Sequence, residues 1–198
     1  MTLSHPRVLE QIAIATALAW ACGLRAYLVL FLLGLAIQLG WLDVPDSLLF
    51  LGQPMILACT GVMTAIEFGA DKLPLFDSLW DMFNTVTRIP AGAMLPAYYL
   101  GAQDNLTFYA ILILGGGIAA GAHLVKSGTR ATANLSPEPF SNWTLSFLED
   151  AIVPLALWLA LTHVVLFFAF IAITLTCSIL LIRFIIRNLP SLFKSKAT

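Results

Sequence analysis

The chain has 198 residues, of which 60% are hydrophobic and 11% charged, and its mean hydropathy is +0.91. A soluble domain of this length would carry about a quarter charged residues, so the composition excludes an ordinary water-soluble fold and points to a polytopic integral membrane protein surrounded by lipid. The formal net charge of −1, with no large basic cluster, excludes a nucleic-acid partner.

Taken in chain order at about 20 apolar residues per crossing, spans are predicted near residues 8 to 40, 54 to 70, 82 to 101, 106 to 126, 143 to 162 and 163 to 188. The expected fold is all-α, a polytopic bundle of six to seven transmembrane helices in a single domain, residues 1–188, followed by a short basic cytoplasmic tail, residues 189–198. No signal peptide is expected, because the first apolar run is too long and lacks a small-residue cleavage site. That run contains "WACGLRAY", residues 20 to 27. A glycine followed by an arginine at bilayer depth predicts a broken helix or a re-entrant hairpin, since irregular backbone there must be received by protein or a water-filled cavity. The competing reading puts Arg25 in a tight cytoplasmic turn between two short spans, for a total of seven. The last two spans form one apolar run that must turn near Leu161, Thr162 and His163.

Lys and Arg are retained on the cytoplasmic side. Arg7, Lys72, Arg88, Lys126, Arg130, Arg183, Arg187, Lys194 and Lys196 all reach that side if both termini are cytoplasmic, and the opposite loops then carry Asp43, Asp46 and Asp104. The expected location is a bacterial inner (cytoplasmic) membrane. The three cysteines, Cys22, Cys59 and Cys177, show no metal-ligand spacing and read as packing residues. No cofactor is indicated by the pattern.

Four carboxylates come in two i,i+4 pairs, which a helix places on one face. Glu67 and Asp71 close the second span, where the helix dipole disfavours negative charge, so a cation must offset them: Lys72 locally, or Arg25, Arg130 or a bound metal ion or proton at a distance. Asp77 and Asp81 precede the third span and fit an amphipathic interfacial segment or a ligand site. Glu149 and Asp150 follow Ser146 in a capping-box pattern, and a structural and a functional reading of them both stand. His123 and His163 read as buried, hydrogen-bonded helix residues. Gly117 and Gly121 have the spacing of close helix packing.

The polar stretch "KSGTRATANLSPEPFSNW", residues 126 to 143, combines Arg130, Asn134, Ser136, Glu138 and Asn142. Ser136, Pro137 and Glu138 follow a helix-start pattern, and a helix N-terminus beside an arginine can cradle an anion. Gly23-Leu24-Arg25-Ala26 and Gly128-Thr129-Arg130-Ala131 share G-x-R-A at the ends of two runs expected to cross in opposite directions. That echo predicts breaks near both Arg25 and Arg130 and fits an inverted repeat of the transporter kind.

The segments "GLRAYLVLFLLGLA", "EFGADKLPLFDSLWD", "RIPAGAMLPA" and "GTRATANLSPEPFSNWTLSFLEDAIV" resemble a family of bacterial integral membrane proteins catalogued as domain of unknown function 4126. The resemblance covers residues 10 to 162 and implies a small membrane protein whose signature includes these G-x-R, E-x-x-x-D-K, S-P-E-P-F-S-N and E-D positions. It implies no reaction or substrate.

Ionisable residues at membrane depth mark a substrate or ion path by default. The expected function is a transporter or channel-like permease for an anionic or phosphate-bearing small molecule or lipid. Arg25, Arg130, Asn134, Ser136, Glu138 and Asn142 would bind it, with Glu67, Asp71, Asp77, Asp81, Glu149 and Asp150 as counter-charges or ion-coupling groups. A proton or cation pathway built on the carboxylates, a lipid-phosphate enzyme and an assembly scaffold are the alternatives. An enzyme is disfavoured by the lack of a nucleophile or H-E-x-x-H motif. A homo-oligomer is compatible with the pattern.

Overall fold

The computed structural model describes residues 8–73, 76–133 and 139–194, and within them the side chains other than those of residues 78, 132, 139–142, 181–182, 184–186 and 188–194. Six α-helices follow one another: α1 Val8–Gln38, α2 Pro54–Ala70, α3 Phe76–Tyr99, α4 Asn105–Ala133, α5 Pro139–Thr162 and α6 Val164–Lys194, with a 3-10 helix Asp46–Gly52 before α2. No strand occurs among the described residues.

Local chemistry sets the helix ends. Gly40 takes a left-handed φ of 68° after α1, and the N–H groups of Gly40 and Trp41 donate to the Ile37 and Ala36 carbonyls at 3.1 and 2.9 Å, a glycine-closed C-terminus. Pro54 opens α2 at a position whose N–H would have no helical partner. Before α4, Asp104 Oδ1 accepts the Thr107 N–H at 2.8 Å, an N-cap bond that holds the Asp104 carboxyl below the usual carboxylate range. The α5–α6 turn falls at His163, as the apolar run required. His163 itself is exposed, with its ring edge-on to Trp158 at 5.4 Å, rather than buried.

Arg25 interrupts α1 with φ −147° and ψ 77°, so the helix is broken there, and with Arg25 only 1% exposed the break is buried, whether its two arms are taken as a re-entrant hairpin or as two short spans joined by a tight turn. Its two arms, Val8–Leu24 and Ala26–Gln38, measure about 25 and 20 Å at 1.5 Å per residue. Glu10, near the start of the first arm, lies within electrostatic reach of Tyr99 at the end of α3. After the second arm, Pro45 packs on Gly101 just beyond the same end of α3. Both ends of α1 therefore stand at the α3–α4 turn, and Arg25 is the apex of a folded-back pair that points at the end of α2. Phe170 packs edge-on to Trp20 at 5.7 Å, so α6 returns from His163 toward the apex end.

The fold-back puts Val8 and the far part of α6 at opposite ends of the bundle, and it changes the expectation for the two G-x-R-A runs. The first arm of α1 and helix α4 also run in the same direction, and α4 continues unbroken through Arg130 to Ala133. The G-x-R-A echo thus marks neither a second break nor opposed helices.

By length and apolarity, three helical stretches qualify as membrane spans, Val8–Gln38, Asn105–Ala131 and Trp143–Thr162. A fourth qualifies if Asp46–Gly52 and Pro54–Ala70, bent by 66°, are taken as one. This is a helical membrane protein with three to four qualifying spans among the described residues, beside the shorter apolar stretch Val164–Leu180 of α6. Helix α3 is not among them, because Arg88 and the polar residues around it lower its hydropathy, and it begins at Phe76 rather than near residue 82.

Helices α1, α3 and α4 meet at Ala119. A Cβ at Gly23 would collide with the Ala119 carbonyl oxygen, and one at Gly92 with Ala119 Cβ. Gly117 and Gly121, where close packing was expected, have nothing within 4 Å of an added Cβ. Gly23→Ala is accordingly expected to destabilise by about 1–3 kcal/mol, read as a lower midpoint of thermal unfolding in detergent, while Gly117→Ala leaves the midpoint unchanged.

Candidate functional site

The apex of α1 meets the ends of α2 and α4 and the starts of α3 and α5, and each element delivers ionisable side chains to that one place. Arg25, Glu67, Asp71, Asp77, Arg88 and Arg130 are each at most 1% exposed, and Lys126, Asp81 and Glu149 are also buried. Moving such charges out of water costs several kcal/mol per ion unless they are paired and hydrogen-bonded, so the pairing pattern decides what the cluster can do.

Asp71 is the hub. Its Oδ2 lies 3.0 Å from Arg25 Nη2, 3.0 Å from Lys126 Nζ and 3.6 Å from Arg130 Nη2, while its backbone carbonyl accepts Arg130 Nη1 at 2.7 Å. Lys72, the nearest cation in sequence, pairs instead with Asp150 at 3.8 Å. Glu149 Oε2 takes Arg130 at 3.1 Å and Lys126 at 3.2 Å, and Asp77 faces Arg130 at 3.7 Å. The arginines of the two G-x-R-A sequences therefore converge on the same carboxylates, although their backbones differ.

The break at Arg25 is part of this geometry. In an unbroken helix the Leu24 carbonyl would accept from the backbone four residues on; here it accepts from Lys126 Nζ at 3.2 Å. Arg25 Nη2 reaches Asp150 Oδ1 at 2.9 Å and also donates to Ser146 Oγ and Ser146 O at 3.1 and 3.3 Å. Ser146 lies well inside α5 and serves Arg25, so it is not the N-cap that the capping-box pattern suggested. Asp150 and Lys72, with side chains 20% and 19% exposed, form the rim of the cluster.

A second group surrounds Arg88. Its Nη2 lies 2.6 Å from Glu67 Oε1 and its Nη1 2.6 Å from Asp81 Oδ1. Asp77 and Asp81 are thus buried in α3 rather than interfacial. One contact joins the two groups, Lys126 Nζ to Asp81 Oδ1 at 3.4 Å. His123 packs between Arg88 and Thr85, 3.3 Å and 2.7 Å away.

Among the expected binding residues, Arg25 and Arg130 are in the cluster. Asn134, Ser136 and Glu138 lie outside the described residues, as does the side chain of Asn142. Arg88, Lys126, His123 and Ser146 were missed as site residues. The signal for three of them was present: Asp77, Asp81, Asn84 and Arg88 follow helical spacing along one face of α3, and His123, Lys126 and Arg130 do so on α4. Beside Lys126 and Glu149 a cavity of about 270 Å³ opens between α1, α4, α5 and α6, with mostly apolar walls that include Trp20, Leu24, Ile152 and Leu175. Among the described residues no three carboxylate, histidine or cysteine groups are placed to hold a metal ion.

Searches of curated proteins and of solved structures returned no match. The model of a family described as domain of unknown function (DUF4126) matches residues 12–184. That match spans most of the chain and every charged side chain of the cluster, and the chain belongs to this family.

Proposed function

We propose that the protein is a membrane transporter or channel-like permease that moves protons or a small cation along its buried ion-pair chain. The observation that carries this reading is the balance of charge: Arg25, Lys72, Arg88, Lys126 and Arg130 face Glu67, Asp71, Asp77, Asp81, Glu149 and Asp150, so carboxylates outnumber cations among the described members. Each cation already has a carboxylate within 4 Å. An anionic or phosphate-bearing molecule at Arg25 and Arg130 would have to displace Asp71, Glu149 and Asp150. A cation or proton needs no displacement.

The contacts also form a sequence. From the partly exposed rim at Asp150, steps of 2.9 Å to Arg25, 3.0 Å to Asp71, 3.0 Å to Lys126, 3.4 Å to Asp81 and 2.6 Å to Arg88 end at Glu67, a further 2.6 Å away and fully buried. Beyond Glu67 the packing is apolar, with Ala15, Leu18, Ala19 and Cys22 buried toward the α3–α4 turn. This favours access from the rim end, which positive-inside reasoning places in the cytoplasm, with a closed apolar layer on the other side. The start of α1 would then face away from the cytoplasm and α6 would lead into it.

The test is flux in liposomes that hold the purified full chain and a trapped pH dye, with a potassium diffusion potential as driving force. Wild-type protein is expected to acidify or alkalinise the lumen faster than protein-free liposomes, and Glu67→Gln to reduce that rate at least tenfold. Wild-type flux equal to that of empty liposomes, for protons and for sodium alike, would instead favour an assembly scaffold, a reading supported by the near-complete pairing of the cations.

A further inference from the structure

The surplus negative charge of the cluster has a definite place. Around Asp71, the cations Arg25, Lys72, Lys126 and Arg130 are matched in number by Asp71, Asp77, Glu149 and Asp150. Around Arg88 a single guanidinium faces two carboxylates, Glu67 and Asp81. The one link between the groups is the 3.4 Å contact of Lys126 with Asp81, and Lys126 is already closer to Asp71, Glu149 and the Leu24 carbonyl. An uncompensated charge in an interior this dry is costly enough that the group neutralises instead.

His123 does not supply the missing positive charge. Its Nδ1 faces Arg88 Nη1 at 3.3 Å; a guanidinium only donates, so Nδ1 carries a lone pair. Its Nε2 lies 2.7 Å from Thr85 Oγ1, and that hydroxyl donates its own proton to the Asp81 carbonyl at 2.9 Å. The Thr85 oxygen therefore accepts, Nε2 holds the ring's one proton, and the imidazole is neutral.

The carboxylates themselves have room for the proton. Arg88 occupies Glu67 Oε1 and Asp81 Oδ1, whereas Glu67 Oε2 and Asp81 Oδ2 are buried with no hydrogen-bond partner. The other groups that reach them are Cys22 from α1, within electrostatic range of Glu67, and His123, Lys126 and Arg130 from α4, within range of Asp81, while Arg25, Asp71 and Glu149 belong to the neighbouring group that Lys126 and Arg130 also join. Of the cations among these, Arg25, Lys126 and Arg130 are all engaged at Asp71. Two buried carboxylates on one cation leave one negative charge without a partner of its own.

We propose that Glu67 and Asp81 together carry one proton at neutral pH, on an oxygen that Arg88 does not occupy, and that this pair is a protonatable site of the membrane interior. The site would be the innermost station of the pathway proposed above and rests on that reading for its use in transport, though not for its existence. Infrared spectroscopy of the purified full chain separates the two, because a protonated carboxylic acid has a C=O stretch that ionised carboxylates lack and that shifts in heavy water. At neutral pH the wild-type chain is expected to show this band, and both Glu67→Gln and Asp81→Asn to lose it, since each leaves one carboxylate against one guanidinium. Asp150→Asn at the rim should keep it. No band in the wild type, or a band that survives in either inner variant, overturns the proposal whether or not those variants are stable. A band that appears only after sodium and potassium are withdrawn assigns the place to a metal cation and also overturns it. A band without flux would leave this site standing and sink the pathway; flux without a band would do the reverse.

Discussion

Arg88→Met is expected to cost about 3–5 kcal/mol of folding stability, the range for removing one partner of a buried ion pair. Arg88 is fully buried and makes its two closest contacts, both 2.6 Å, with separate carboxylates. Methionine fills much of the same volume, so the loss is electrostatic rather than a cavity effect. Two buried carboxylates would then face each other with no guanidinium between them, and uptake of a second proton is the one local remedy. Adding Glu67→Gln to Arg88→Met should therefore recover a measurable part of the loss, because one charge that needed the arginine is gone. Arg88→Lys should fall between, since an ammonium is a single point of charge and does not hold two carboxylates in a fork. Denaturant unfolding in a mild detergent, followed by tryptophan fluorescence, gives all three values. A loss below about 1 kcal/mol in Arg88→Met, the range of a solvent-exposed pair, would mean that water already reaches the pair.

The positions of the helices were legible in the sequence because apolar length and turn chemistry are local properties. The helix ends at Gly40, Pro54 and Asp104 each have a residue that explains them, and the turn at His163 follows from length alone. The start of α3 was not legible: Asp77, Asp81 and Arg88 lower the hydropathy of its first half, which then looks interfacial. They are buried only because α2 and α4 bring Glu67, Lys126 and Arg130 against them, and no window along α3 contains that information. The break at Arg25 could be read from a glycine and an arginine at bilayer depth. That break left open a kink, a re-entrant hairpin or a tight turn between two short spans, and the choice of a fold-back depends on Glu10 and Pro45 meeting the end of α3 from distant parts of the chain. Likewise, Arg25 and Arg130 share a sequence context and a destination, but the backbone opens only at Arg25. There Lys126 donates to the Leu24 carbonyl, the last one before the break. The small-residue pattern on α4 misled for the same reason: which glycine is crowded depends on the partner helix, and the partners meet at Ala119 opposite Gly23 and Gly92.

Asp71→Asn and Asp150→Asn offer a direct comparison of buried and rim charge with the same partner. Both carboxylates contact Arg25, at 3.0 and 2.9 Å, so distance alone would make the two substitutions equivalent. Burial separates them. The Asp71 side chain is completely buried and its Oδ2 also serves Lys126 and Arg130, whereas the Asp150 side chain is 20% exposed and its second partner, Lys72, is 3.8 Å away and 19% exposed. Asp71→Asn keeps the backbone carbonyl that accepts Arg130 but leaves three buried cations short of one negative charge, a loss of about 3–5 kcal/mol by the same reasoning as for Arg88. At Asp150 water screens the change and Lys72 has freedom to swing outward, so about 1 kcal/mol or less is expected. Thermal unfolding of the two variants in the same detergent checks this. Equal losses would show that the cluster is hydrated throughout, and a path closed by apolar packing beyond Glu67 would then have to be given up in favour of a water-filled one.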